Sequence, residues 1–187
     1  MCTHFCAHFW EQERRELQER FHAALATLKS ADGKRRLGGR WVYQLPWYLI
    51  IGPPGSGKTT ALQNAGLRFP LAERLGPDAV AGCGGTRHCE WWFTDEAVLI
   101  DTAGRYTTQD SDRQVDHAGW QNFLALLKQY RPRRPLNGVL VAVSVADVLQ
   151  QTRVDRERQA LAIRQRVQEL CQSFQVALPV YVVLTKS

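Results

Sequence analysis

Residues 52–59 read GPPGSGKT, which matches the pattern G-x-x-x-x-G-K-T of a phosphate-binding loop. The apolar run 47–51 precedes this loop and predicts a buried strand. Residues 59–65 follow it and predict a short helix that ends at Gly66. A strand, a glycine-rich loop and a helix in this order are the setting in which the pattern binds a nucleoside triphosphate. A glycine- and proline-rich surface loop, the alternative, would not require these flanks.

Each position of the loop has an expected role in holding phosphate. Backbone N–H groups from about residue 55 to residue 60 would surround the phosphates at the positive end of the helix. The Lys58 ammonium would contact the β- and γ-phosphate oxygens, and the Thr59 hydroxyl would bind Mg²⁺. The predicted nucleotide-binding residues of the loop and helix start are Gly52, Gly55, Ser56, Gly57, Lys58, Thr59 and Thr60.

The composition is that of a globular domain. Hydrophobic residues make up 44% of the chain and charged residues 22%, both ordinary values. The longest apolar runs, residues 47–51 and 139–145, are far too short to cross a bilayer. The five cysteines form no C-x-x-C pair, which favours a reducing compartment. The net charge is +6, but the basic run 131–134 predicts a solvated face, and no motif indicates nucleic-acid binding.

The sequence predicts three parts. Residues 1–9 match no structural pattern, and we expect a frayed or foreign N-terminus there. Residues 10–40 predict an amphipathic helix followed by a basic linker. Residues 41–187 would form the nucleotide-binding domain.

The connection over residues 67–90 is long for a compact domain, and such connections are usually functional or mobile. In a nucleotide switch protein this place holds the first switch, whose threonine closes on Mg²⁺ and the γ-phosphate. Thr86, in a glycine-rich frame, is the candidate for that role. Cys83, His88 and Cys89 offer another use of the segment as metal ligands, but a fourth ligand has no obvious source.

The second half of the predicted site follows a β-hairpin. Residues 90–93 and 97–100 predict its two strands, and the second strand leads directly into D-T-A-G at residues 101–104. We expect the Asp101 carboxylate to hold Mg²⁺, directly or through water. We expect the Gly104 N–H to meet the γ-phosphate.

Residues 105–114 are polar and predict a mobile second switch. Many small GTPases place a water-orienting glutamine directly after D-T-A-G, where this chain has Arg105. Gln109 would have to reach back to orient the water, and Arg105 or Arg87 would serve as an arginine finger. The catalytic candidates are therefore Lys58, Thr86, Arg105 and Gln109.

Helices and strands alternate through the rest of the chain. Helices are predicted over residues 115–130 and 152–174, and strands over residues 138–145 and 180–184. This alternation predicts an α/β fold of the P-loop NTPase class with a GTPase-like layout. The sheet would be mainly parallel, with helices on both faces and one antiparallel edge contributed by the hairpin.

The final residues resemble a base-binding motif. In guanine-binding members of this fold a strand delivers Asn/Thr-Lys-x-Asp, and residues 185–187 read Thr-Lys-Ser. Thr185 and Lys186 are therefore predicted to contact the nucleotide base. The sequence stops where the aspartate would stand, so we expect a C-terminally truncated domain. The choice between GTP and ATP stays open.

Two longer stretches resemble one family. Residues 45–62, and residues 91–110 reading WWFTDEAVLIDTAGRYTTQD, are similar to the cytoplasmic domain of the IcmF-like core protein of bacterial type VI secretion systems. The resemblance covers about residues 39–187. It implies an inner-membrane protein with a cytoplasmic P-loop domain, whose partners are other membrane-complex components and the baseplate. Membrane anchoring belongs to the family and is not carried by these residues.

Two functions from different classes follow. The first is an NTPase that hydrolyses the β–γ bond slowly with Mg²⁺ and so times assembly of the secretion complex. The second is a nucleotide-binding scaffold with little or no turnover. A targeting GTPase of the signal-recognition type also carries D-T-A-G-R, but it would have a helical bundle where this chain has one predicted helix at residues 10–29.

Overall fold

The computed structural model describes residues 41–69, 89–110 and 112–186, and helical residues 15–16, 18–19, 22–23 and 25–26 near the N-terminus. Several predictions lie outside these residues: the frayed N-terminus, the basic linker and most of the long connection. Thr86, Arg87, Cys83, His88 and Ser187 are also outside them. Cys89 is described; it is buried and forms no disulfide with another described residue.

From residue 41 onward, the described part of the chain forms five strands and five α-helices. The strands are β1 (Trp47–Ile51), β2 (Cys89–Phe93), β3 (Val98–Thr102), β4 (Gly138–Ser144) and β5 (Val180–Thr185). The helices are α1 (Lys58–Gln63), α2 (Gly104–Thr108), α3 (Arg113–Tyr130), α4 (Val145–Gln150) and α5 (Arg153–Phe174).

The strands form one mixed sheet in the order β2-β3-β1-β4-β5. β1 runs parallel to β3 and to β4, and β5 runs parallel to β4. β2 pairs antiparallel with β3 at one edge. The prediction of a mainly parallel sheet with one antiparallel edge is therefore confirmed. The carboxyl ends of β1, β3, β4 and β5 share one edge of this sheet, which is where α/β proteins build their sites.

Helices lie on both faces of the sheet. α1 lies over the face that carries Tyr48, Ile50 and Leu99. The opposite face carries Trp47 and Leu49, which have no exposed surface. α2, α3 and α5 contact one another and make up the second helical layer. Strands covered in this way on both faces can consist almost entirely of apolar residues, as β1 does.

Local capping explains where the two long helices begin. The Asp112 side chain accepts hydrogen bonds from the N–H groups of Gln114 and Val115 at the start of α3. The Thr152 side chain accepts from the Asp155 N–H at the start of α5. Such caps satisfy backbone donors that have no partner within the helix. Four large apolar residues of α3 are fully buried and form its inward face: Trp120, Phe123, Leu124 and Leu127.

Two helices, α2 and α4, were not predicted from the sequence. Residues 105–114 were predicted only as a polar, mobile segment, but Gly104–Thr108 forms α2 with Tyr106 and Thr107 buried. Tyr106 packs against Gly119 of α3, where an added Cβ would lie 2.9 Å from the Tyr106 ring. The strand predicted to reach residue 145 ends at Ser144, because the Ser144 hydroxyl accepts from the Asp147 N–H and caps α4.

One member of the basic run 131–134 is part of the core rather than of a solvated face. Arg131 is 1% exposed, and its guanidinium lies 4.5 Å from the ring centroid of Trp47 and 5.0 Å from that of Tyr43. Burial lowers the pKa of Arg131 to about 10. Contacts between a guanidinium and aromatic faces of this kind are favourable when desolvated. Through its contact with the Trp47 ring, Arg131 thus packs the turn before β4 against the start of β1.

A search of the described residues for membrane spans finds no helix with both the length and the apolar character to cross a bilayer.

Candidate functional site

The glycine-rich loop, residues 52–59, joins β1 to α1 at the carboxyl edge of the sheet. Gly55 and Gly57 have φ angles of 72° and 80°, a backbone region that glycine adopts without a steric penalty. Gly57 is the N-cap of α1, so the N–H groups at the start of this helix have no side-chain cap. The loop, Thr102, Gly104 and Lys186 line an open cavity of about 400 Å³.

Lys58 is held inside this loop. Its Nζ donates hydrogen bonds to the carbonyl oxygens of Gly52 and Pro53, both at 3.0 Å. Only 7% of the residue is exposed. Burial lowers the pKa of Lys58, and the nearby Asp101 carboxylate opposes that shift. The ammonium is thus fixed at the wall of the cavity before any ligand arrives.

Asp101 at the end of β3 contacts the loop through Thr59. The Thr59 hydroxyl donates to Asp101 Oδ2 at 2.5 Å, which joins residues 42 positions apart. Asp101 has no exposed surface, and its Oδ1 has no hydrogen-bond partner within the described part of the chain. Burial raises the pKa of Asp101, whereas the Thr59 hydrogen bond and the Lys58 charge lower it. The Thr59 hydroxyl and the Asp101 carboxylate, one oxygen of which has no partner among the described residues, are ligand types that suit Mg²⁺.

The end of β5 supports the loop from the other side. The Thr185 hydroxyl donates to the Ser56 carbonyl oxygen at 2.5 Å, in a buried hydrogen bond. A Cβ added to Gly57 would lie 3.3 Å from the Thr185 Cβ. Lys186 lines the cavity, and its Nζ is 3.6 Å from Asp147 Oδ1 of α4. The two residues predicted to contact the base therefore lie beside the predicted phosphate loop.

α2 contacts the outer limb of the loop. The Gly52 N–H donates to the Thr107 hydroxyl at 3.1 Å. A Cβ added to Gly104 would lie 2.3 Å from the Pro54 nitrogen, so only glycine fits between α2 and the loop. Thr107 was not among the predicted site residues. No local pattern indicates it, because its partner is 55 positions away.

Two predicted catalytic residues are not at the cavity. Arg105 NH1 donates to Asp116 Oδ1 of α3 at 3.0 Å, and the Arg105 guanidinium lies 4.9 Å from the Tyr106 ring centroid. Gln109 is the C-cap residue of α2, and its backbone is in the left-handed region with a φ angle of 52°. Neither residue is among the described residues that line the cavity. Thr86, the third predicted Mg²⁺ ligand, lies outside the described residues.

Glu90, like Thr107, was not among the predicted site residues, and it is charged. It is 6% exposed and is the register partner of Asp101 in the β2–β3 ladder. The available signal was a lone charged residue in an apolar strand, opposite the end of the strand that carries Asp101. The described residues contain no cluster of three or more His, Cys, Asp or Glu side chains with the geometry of a metal site.

Two comparisons with known proteins agree with each other. Residues 113–187 match the IcmF-related N-terminal domain family. Over 178 residues the chain is 57% identical to the type VI secretion system component TssM1 of Pseudomonas aeruginosa, an alignment that covers 94% of this chain and 16% of that protein. Both findings support a protein of the TssM/IcmF type.

The match to TssM1 extends across the candidate site. Because 94% of the chain is aligned, the glycine-rich loop and Asp101 lie within the aligned part. The IcmF-related family match begins at Arg113, the first residue of α3, and so contains Thr185 and Lys186 but not the loop. The chain spans 16% of the length of TssM1.

Proposed function

We propose that this chain binds a nucleoside triphosphate together with Mg²⁺ and serves as a nucleotide-dependent switch domain in type VI secretion. The observation that carries the proposal is the contact between Thr59 of the glycine-rich loop and Asp101 of β3 at 2.5 Å. It brings the two halves of the predicted site together beside Lys58. A glycine- and proline-rich surface loop would not need a buried carboxylate behind it.

The chain's own groups have distinct parts in binding. The N–H groups at the start of α1 carry the positive end of the helix dipole and would bind phosphate oxygens. The Lys58 ammonium would neutralise charge on the β- and γ-phosphates, and its hydrogen bonds to Gly52 and Pro53 pre-organise it. Thr59 and Asp101 would hold Mg²⁺. That ion, when bound, offsets the negative charge of the phosphates.

The base would lie toward Lys186, which lines the cavity next to Thr185 and Gly57. The hydrogen bond from Thr185 to Ser56 would keep the base-contacting strand in register with the phosphate loop. Both GTP and ATP remain candidate ligands under this proposal.

Hydrolysis of the β–γ bond is proposed to be slow. Electrostatic stabilisation by Lys58 and the loop N–H groups would lower the barrier, but the reaction also needs an oriented water. Arg105 is engaged by Asp116 instead of lining the cavity. This observation favours the second candidate, a scaffold in which bound nucleotide fixes a protein surface with little or no turnover.

The setting is proposed from the comparisons. The 57% identity to a type VI secretion system component supports a role in that secretion machine. By the resemblance to IcmF-like proteins, the domain would lie on the cytoplasmic face of the inner membrane. Its partners would be other membrane-complex components and the baseplate.

Fluorescent GTP and ATP analogues titrated into the chain, with and without Mg²⁺, test the proposal. We expect Mg²⁺-dependent binding that Lys58→Ala weakens by roughly ten- to a hundredfold, the worth of a charge-assisted hydrogen bond. Lys128→Ala is the matched control, because Lys128 is an exposed lysine on α3. Phosphate release measured on the same samples separates the two candidates.

Each outcome has a definite meaning. Binding that Lys58→Ala removes, with measurable phosphate release, supports the NTPase. The same binding without release supports the scaffold. If the wild-type chain binds no better than Lys58→Ala, the nucleotide proposal is wrong.

A further inference from the structure

A buried carboxylate that has no part in the function above lies beside Asp101. Glu90 is 6% exposed, although β2 is an edge strand of the sheet. In the antiparallel ladder Glu90 is paired with Asp101. Residues directly opposite each other point to the same face, with Cβ atoms about 4.5–5.5 Å apart. The two carboxylates therefore share one face, next to the end of the sheet where Thr59 meets Asp101.

A second observation indicates that this place receives a cation. Asp101 Oδ1 is fully buried and has no hydrogen-bond partner within the described residues. Lys58 is close enough to influence Asp101, but its Nζ hydrogen bonds go to the carbonyl oxygens of Gly52 and Pro53. Among the described residues, Asp101 Oδ1 thus lacks the partner that a divalent cation would supply, and the Glu90 carboxylate lies on the same face of the sheet.

We propose that Glu90 is a positioning residue of the Mg²⁺ site, where its carboxylate accepts a hydrogen bond from a water molecule bound to the ion. The inference rests on the proposed function, because it requires the ion that Thr59 and Asp101 would hold. β3 lies between β2 and β1, so Glu90 stands one strand further from the glycine-rich loop than Asp101 does. Because Glu90 stands one strand further away, its carboxylate would contact a water molecule bound to the ion rather than the ion itself. Mg²⁺ usually keeps several waters in protein sites.

The test measures the Mg²⁺ concentration that gives half-maximal binding of a fluorescent nucleotide to the chain. Removing an acceptor of this kind typically costs ten- to a hundredfold in metal affinity. We expect Glu90→Gln to raise the Mg²⁺ midpoint by about that factor and to leave nucleotide binding without Mg²⁺ unchanged. Glu90→Asp keeps a carboxylate with a shorter reach, and its midpoint should lie between those of wild type and Glu90→Gln.

Glu96→Gln is the matched control, because Glu96 is an exposed glutamate in the turn of the same hairpin. Thermal unfolding of all variants without ligand separates a structural role from the proposed one. If Glu90→Gln loses stability but keeps the wild-type Mg²⁺ midpoint, the inference is overturned and the proposed function stands. If Glu90→Gln does not fold, the Mg²⁺ midpoint of Glu90→Asp is compared with that of wild type instead, and an unchanged midpoint overturns the inference. If the wild-type chain shows no Mg²⁺-dependent binding, both proposals are wrong.

Discussion

The Asp101 carboxylate is buried, and one of its oxygens has no hydrogen-bond partner in the part of the chain that the structure describes, so this residue bears on stability as well as on binding. Burial raises its pKa above the ordinary value of 3.8, even with Thr59 and Lys58 acting in the other direction. The folded chain therefore keeps the Asp101 proton at pH values where the unfolded chain has already lost it. Stability falls as the pH rises from about the ordinary value through the raised pKa, and this loss persists at neutral pH.

Asp101→Asn removes the charge while keeping the shape of the side chain and an acceptor for Thr59. Without ligand, we expect this variant to have a larger free energy of unfolding than wild type at pH 7, and the pH dependence described above to disappear. Mg²⁺-dependent nucleotide binding should be lost in the same variant. Urea unfolding between pH 4 and pH 8 measures the first effect. Asp95→Asn, at an exposed position of the hairpin turn, is the control. A variant less stable than wild type at pH 7 would contradict the argument.

At the residue level, local motifs led to side chains that the structure brings together. Thr59 of the glycine-rich loop donates a hydrogen bond to Asp101 of the D-T-A-G run, and Lys58 lies in the same loop. The roles of these residues in binding stay predictions. Glu90 and Thr107 were missed because their importance depends on strand register and on a contact across 55 positions. Neither of these is encoded in a short stretch of sequence.

At the scale of elements, α2 connects the glycine-rich loop to the helical layer. Its Thr107 accepts from the Gly52 N–H, its Tyr106 packs on Gly119, and its Arg105 pairs with Asp116. The side chain of Asp116 is 1% exposed, so the ion pair is largely shielded from water on that side. The segment predicted to be a mobile switch is thus docked on α3 and on the loop at several points.

Thr107→Val tests this docking, because valine keeps the branched shape but cannot accept from the Gly52 N–H. A buried N–H left without an acceptor costs about 1–3 kcal/mol, so we expect the free energy of unfolding to fall by that amount. Thr107→Ser retains the hydroxyl and should lose less. Thr108→Val on the same helix is the control, since the Thr108 hydroxyl bonds at the surface to Asp110. Urea unfolding of the four proteins is the measurement, and equal losses in Thr107→Val and Thr108→Val would disprove the docking role.

The difference between local sequence patterns and long-range contacts also explains which elements could be predicted. β1 is a continuous apolar run and α3 has an apolar pattern with a helical period, and both occur within a few residues of the predicted bounds. α2 has the sequence Gly-Arg-Tyr-Thr-Thr, which shows no such period, and it is helical because its partners surround it. α4 carried a local signal in Ser144, a favourable N-cap, but the apolar run before it favoured a longer strand.

At the scale of the whole molecule, the sheet is unevenly covered. Among the described residues, β5 pairs only with β4, and Tyr181 and Val182 on its two faces are 49% and 64% exposed. An open apolar groove of about 520 Å³ extends from α1 to Tyr181 and Val183. Parallel strands are normally covered on both faces, and an exposed apolar edge strand tends to pair with other chains.

We therefore expect the 187-residue chain to self-associate as its concentration rises, through the edge formed by β5. Val182→Lys should reduce this association, because a charged lysine on an edge strand opposes pairing between strands. Val154→Lys is a closely matched control: Val154 on α5 is 63% exposed against 64% for Val182, but it lies on a helix and not on an edge strand. Sedimentation velocity over a range of concentrations measures the association, and thermal unfolding checks that both variants fold. An equal reduction by the two substitutions would attribute the association to general surface hydrophobicity, and no reduction by Val182→Lys would exclude the β5 edge as its cause.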